Sequence, residues 1–160
     1  MSGLELIFYA VLMAGLLALA IIDARTYRLP DALNLALLAV GLLASYMLDR
    51  SMVLHSLGAI IGYGVLVAIE LGYKHLRGRD GLGRGDAKLL AAGGAWCGAL
   101  ALPFILLVAS VSALLFALTL KLVFRREIDG TSMIAFGPFL AFGIALIYSL
   151  DSFYPVLALY

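Results

Sequence analysis

Six apolar runs separated by short polar connectors restrict the fold of this chain more than any other feature. They cover residues 4–22, 32–48, 52–73, 86–100, 102–124 and 133–150. A helix needs about 20 mostly apolar residues to cross hydrocarbon, and each run approaches that length. A soluble domain is roughly 45–50% apolar and about a quarter charged. This chain of 160 residues is 64% hydrophobic and 13% charged, so its solvent is a bilayer. The expected fold is an all-α polytopic membrane protein with six transmembrane helices, built as a single domain over residues 1–160. The fourth run is short and rich in Gly and Ala. Its separation from the fifth rests on Pro103, a residue that can also kink a continuous helix.

The charges give the orientation. Arg25 and Arg28 lie between runs one and two. Lys74, Arg77, Arg79, Arg84 and Lys88 lie between or at the edges of runs three and four, and Lys121, Arg125 and Arg126 lie between runs five and six. Only Arg50, beside Asp49, falls on the opposite side. Cytoplasmic loops carry the excess of Lys and Arg, so the three basic loops are expected in the cytoplasm and both termini on the outer, periplasmic side. Tyr46, Trp96, Tyr148 and Tyr154 would then mark the outer interface, and Tyr27 and Tyr73 the inner one. A net charge of +1 does not imply a nucleic-acid partner. The one cysteine, Cys97, allows no intrachain disulfide and reads as a small packed residue.

Two acids stand out against this background. Asp23 ends the first run. Asp86 opens the fourth, inside Gly81-Leu82-Gly83-Arg84-Gly85-Asp86-Ala87-Lys88. The topology places both on the cytoplasmic side. A charge at a membrane helix usually faces a cavity or a partner. Each acid alone has a plain alternative: Asp23 as a helix end in the headgroup zone, Asp86 as an N-cap. Glycines before Asp86 permit unusual backbone angles and close approach of another chain. Gly93, Gly94 and Gly98 extend a small face along the fourth run, which would pack it on the first and bring Asp86 towards Asp23. Two carboxylates in contact share one proton. One can then take a proton from water while the other donates to a peptide carbonyl, without metal or cofactor. Asp86 starts a helix and Asp23 ends one, so the helix dipole assigns the ionised base to Asp86 and the acid to Asp23.

The segments DARTYRLPD (23–31) and GLGRGDAKLLAAGGAW (81–96) resemble those of the type IV prepilin peptidases, bacterial members of the GxGD aspartyl proteases. Phe136-Gly137-Pro138 resembles the segment that opens their last helix, although Ala135 precedes it where proline is common. The resemblance implies a catalytic pair at Asp23 and Asp86, with Gly83, Gly85 and Lys88 in the active-site loop. It implies removal of the leader from prepilins or pseudopilins, after a glycine and just before their apolar helix. The expected location is the cytoplasmic face of the bacterial inner membrane. Larger relatives carry an N-terminal methyltransferase domain with cysteine pairs. This chain starts at its first run, so a minimal peptidase without methylation is expected.

Glu70 is a candidate for attracting the basic leader, or a partner of Lys74 at i,i+4. Gly137 and Pro138 are candidates for substrate contact. Asp80 and Asp129 read as loop residues, and His55 and His75 show no metal spacing. Two other functions fit the sequence less closely: a catalytically silent membrane subunit of a pilus or secretion assembly, and a small ion or proton transporter. A transporter expects polar groups near the bilayer midplane. Here both acids sit near one edge.

Overall fold

Residues 2–77, 83–122 and 135–153 of a computed structural model are described here. They contain six α-helices: α1 (Gly3–Thr26), α2 (Asp31–Met47), α3 (Met52–Arg77), α4 (Arg84–Cys97), α5 (Leu102–Leu122) and α6 (Gly137–Phe153). Three segments, Gly3–Thr26, Met52–Leu76 and Ala99–Leu122, are long and apolar enough to cross a membrane. α2 and α6 are shorter apolar helices. α4 has 14 residues, about 21 Å at the helical rise, and does not reach that length. Arg79, Asp80, Gly81, Arg125, Arg126, Asp129 and Tyr154 lie outside the described residues.

The break before Pro103 is real. Gly98 has φ 78°, which suits glycine, and its N–H closes α4 on the Gly94 carbonyl at 2.8 Å. One 3₁₀ turn, Ala99–Ala101, then leads into α5. The start of α1 is fixed by Ser2 and Glu5, which form a capping box.

α4 is the centre of the bundle. Every residue from Asp86 to Cys97 except Lys88 is buried. A helix apolar on all sides belongs in a core. Its small residues let neighbouring helices come close, the main source of helix association where lipid is as apolar as the protein. A Cβ on Gly58 of α3 would lie 2.5 Å from the Gly94 carbonyl oxygen, and one on Gly62 would lie 2.7 Å from that of Leu90. A Cβ on Gly93 would lie 2.8 Å from Ile144 of α6. The small face therefore joins α4 to α3 and α6, rather than to α1 as the sequence suggested. α1 packs on α6 and α2 and meets α4 sparsely, with Phe8 edge-on to Trp96 at 6.3 Å.

Two aromatic residues expected at the outer interface are core residues instead. Trp96 and Tyr148 are each 2% exposed, and their rings meet edge-on at 5.7 Å. The Trp96 indole N–H donates to the Leu37 carbonyl at 2.8 Å, which satisfies the polar edge of the ring. Gly41 leaves room for it: a Cβ there would lie 2.6 Å from the indole. Tyr46, Tyr27 and Tyr73 are exposed, as interfacial aromatics are. Arg50 lies over the Tyr148 ring and within 3.9 Å of Asp151 at the end remote from Asp23.

Candidate active site

α1 does not end at Asp23. It continues for one more turn to Thr26, and the N–H of Tyr27 closes it on the Asp23 carbonyl at 2.8 Å. Tyr27 stands at φ 53°, a left-handed conformation that turns the chain sharply towards Leu29 and Asp31. The Thr26 hydroxyl bonds back to the Ile22 carbonyl at 2.8 Å. Asp23 continues the buried stripe of Phe8, Leu12, Leu16 and Leu19 along α1, and the residue is 5% exposed.

The first residue of α6 holds this carboxylate. Gly137 N–H donates to Asp23 Oδ2 at 3.0 Å. A Cβ on Gly137 would lie 2.6 Å from the same oxygen, so only glycine leaves the space. The dipole argument for dividing the two roles is thereby lost. Asp23 lies in the last turn of its own helix but sits at the N-terminus of another, and both acids occupy a helix start. Gly137 contacts the candidate catalytic acid directly. Pro138 follows it in the first turn of α6, where a missing N–H is tolerated.

Asp86 is the third residue of α4 and is 8% exposed. Its N–H donates to the Gly83 carbonyl at 3.0 Å. Gly83 itself is extended, with φ −77° and ψ 135°, and Gly85 is helical. Neither has the unusual backbone expected from the sequence. Gly85 is required for close approach instead, since a Cβ there would lie 2.8 Å from the Leu29 Cβ. At Gly83 the nearest atom to an added Cβ is Asp86 Oδ2, at 3.5 Å, an ordinary contact.

Asp23 and Asp86 line a single cavity of about 440 Å³, together with Tyr27, Arg28, Leu29, Asp31, Gly83, Arg84 and Gly85. Two connections that the sequence did not disclose stitch the two motifs together. Lys88 Nζ pairs with Asp31 Oδ2 at 2.6 Å, and Asn34 Nδ2 donates to the Gly85 carbonyl at 3.4 Å. Asn34 was legible only as one polar side chain in the apolar run of α2, one turn beyond Asp31. Glu70, a candidate for leader binding, is buried and stands 3.5 Å from Arg84 Nε, which ties α3 to the start of α4. Among the described residues, no group of three or more His, Cys, Asp or Glu side chains could hold a metal ion.

A helical membrane protein with two acids buried in one cavity is the class that fold and cavity define. Within it, the chain belongs to the type IV leader peptidase family, which residues 10–118 match. It is 48% identical over 130 residues to the prepilin leader peptidase/N-methyltransferase of Escherichia coli (strain K12), covering 79% of this chain and 56% of that protein. It is 40% identical over 148 residues to the protein of that name from Pectobacterium carotovorum subsp. carotovorum, covering 89% and 51%. For the Pseudomonas aeruginosa protein of that name, the match is 41% over 138 residues, covering 84% and 47%. The chain thus spans about half the length of the curated relatives it matches. No solved structure matches it significantly.

Proposed function

We propose that this chain is a membrane aspartyl endopeptidase. It removes the leader of type IV prepilins or pseudopilins after a glycine, on the cytoplasmic side of the bacterial inner membrane. One observation carries the reading above the others: Asp23 and Asp86, on separate helices, are both buried and line one cavity. Family membership and the relatives' names supply the substrate class.

The chemistry follows from the pair. Two carboxylates brought together on one substrate share one proton. The ionised one takes a proton from a water molecule as its oxygen attacks the scissile carbonyl. The protonated one donates to the carbonyl oxygen. Collapse of the tetrahedral intermediate breaks the C–N bond, and the proton first taken from water passes to the leaving amine. The Gly137 N–H orients Asp23 for these steps. Glycine at 83 keeps one side of Asp86 clear for an extended peptide.

The protein functions as a single membrane-embedded domain over residues 1–160. Six helices enter the bilayer, both termini face the periplasm, and the cavity faces the cytoplasm. The charge distribution supports this orientation, with ten of the eleven basic residues on one side. A basic leader would meet Asp31, which lines the cavity and is 64% exposed at its side chain. Co-expression with a prepilin tests the reading. A shortened product whose new N-terminus follows the leader glycine is expected, and full-length prepilin beside well-folded protein contradicts it. A C-terminal reporter active only outside the cytoplasm tests the topology.

A further inference from the structure

A second cavity, of about 620 Å³, lies between α2 and α3. Leu35, Leu38 and Leu42 of α2 form one wall, Ile60 and Tyr63 of α3 the other, and Ala91 of α4 the floor. It exists because α2 and α3 both pack closely on α4 and only slightly on each other. Leu35 and Ile60 are 58% and 68% exposed, so the groove opens towards the surrounding hydrocarbon. Along α2 it runs from Asn34 to Leu42, about 12 Å or two helical turns. That length suits the i, i+3/i+4, i+7 anchors of one helix face.

The groove does not end in lipid at its inner end. Asn34 and Lys88 both line it, and both also reach the first cavity's frame. Lys88 pairs with Asp31, and Asn34 donates to the Gly85 carbonyl, one residue from Asp86. The groove thus adjoins the site of the two acids, with the Lys88–Asp31 and Asn34–Gly85 contacts between them. Its junction has a particular polarity. Asn34 is 1% exposed, and its Oδ1 has no hydrogen-bond partner among the described residues. A buried acceptor left unpaired is costly and calls for a donor. The Lys88 ammonium is already engaged by Asp31. The junction therefore offers an acceptor for an N–H more readily than a cation for a phosphate.

We propose that this groove seats the first two turns of the substrate's apolar helix, with Asn34 Oδ1 accepting a backbone N–H where that helix gives way to the scissile segment. The first four N–H groups of a helix have no partner within it, and a segment stretched between two aspartates has none either. The occupant is thus a peptide helix, entering sideways from the bilayer, and a lipid chain is the competing occupant. This inference rests on the proteolytic reading above.

The test is a disulfide cross-link. The probe is a synthetic peptide with a basic leader ending in glycine, followed by an apolar helix of about 20 residues with one cysteine in its second turn. Asp86→Asn protein retains the uncut probe. Ile60→Cys is compared with Leu114→Cys on α5; both positions are 68% exposed. The single native thiol, Cys97, is buried and stays silent. Docking raises the local concentration, so the Ile60→Cys link should form at least about tenfold faster than the Leu114→Cys link. Equal rates, with the probe still cut by the parent chain, overturn the groove and leave the proteolytic reading standing. A probe that the parent chain does not cut removes both. In a separate arm, Asn34→Leu should raise KM for the probe about tenfold, the cost of a lost hydrogen bond. An unchanged KM excludes the Asn34 contact.

Discussion

Asp23 and Gly137 lie in different helices far apart in sequence, yet the Gly137 N–H meets the Asp23 carboxylate at 3.0 Å. α6 thus presents its N-terminus to one of the two acids in the cavity. Asp23 lies on the buried stripe of α1, in line with Leu16 and Leu19. The third sequence motif therefore acts on the first acid, and its glycine is a spatial requirement.

Gly137→Ala tests that requirement. The new Cβ would lie 2.6 Å from Asp23 Oδ2, so the carboxylate must move. A misplacement near 1 Å can cost about a hundredfold in rate. We expect a loss of that order in kcat, with helix content and thermal unfolding nearly unchanged, since alanine suits a helix start. Circular dichroism and cleavage kinetics on the same preparation read both.

The Lys88–Asp31 pair should matter for geometry more than for stability. Asp31 is 64% exposed at its side chain, and exposed ion pairs contribute about 0–1 kcal/mol. A double-mutant cycle with Lys88→Ala and Asp31→Ala should give a coupling within that range in detergent unfolding. Cleavage should fall in both single variants, because the pair joins the two motif segments that frame the cavity.

Gly94→Ala should loosen the bundle. An added Cβ would overlap the Gly58 carbonyl, which belongs to backbone and cannot swing aside. Overpacking of this kind costs about 1–3 kcal/mol. Thermal unfolding in detergent should shift down. Gly72→Ala, on α3 with open space around it, should not shift it.

Activity should follow a bell-shaped pH dependence. A pair that works with one proton is inactive when both groups are protonated and when both are ionised. The two limbs belong to the pair jointly and assign no residue. A profile of kcat/KM with a single limb across the range where the protein stays folded contradicts a shared proton.

Much of this was legible in the sequence because membrane helices announce themselves through length and composition. The six elements, the break near Pro103 and the two acids were all visible. What escaped depended on which face of a helix meets which neighbour. The small residues of α4 signalled close packing but not its partner, which is α3 through Gly58 and Gly62 rather than α1. Trp96 looked interfacial because aromatic residues gather at membrane surfaces, yet its N–H found the Leu37 carbonyl inside the bundle. Gly83 and Gly85 suggested an unusual backbone, whereas Gly85 only makes room for Leu29. Asn34 carried a single hint, its polarity within an apolar run. Its partner on Gly85 required the fold.

The most direct measurement compares cleavage of one prepilin by the purified parent chain, Asp23→Asn and Asp86→Asn at equal amounts of folded protein. The account predicts a cut after the leader glycine by the parent. It predicts a loss of at least about a hundredfold in each variant, the scale of a lost general acid or base. Cleavage that persists at the parent rate in either variant contradicts the two-aspartate mechanism.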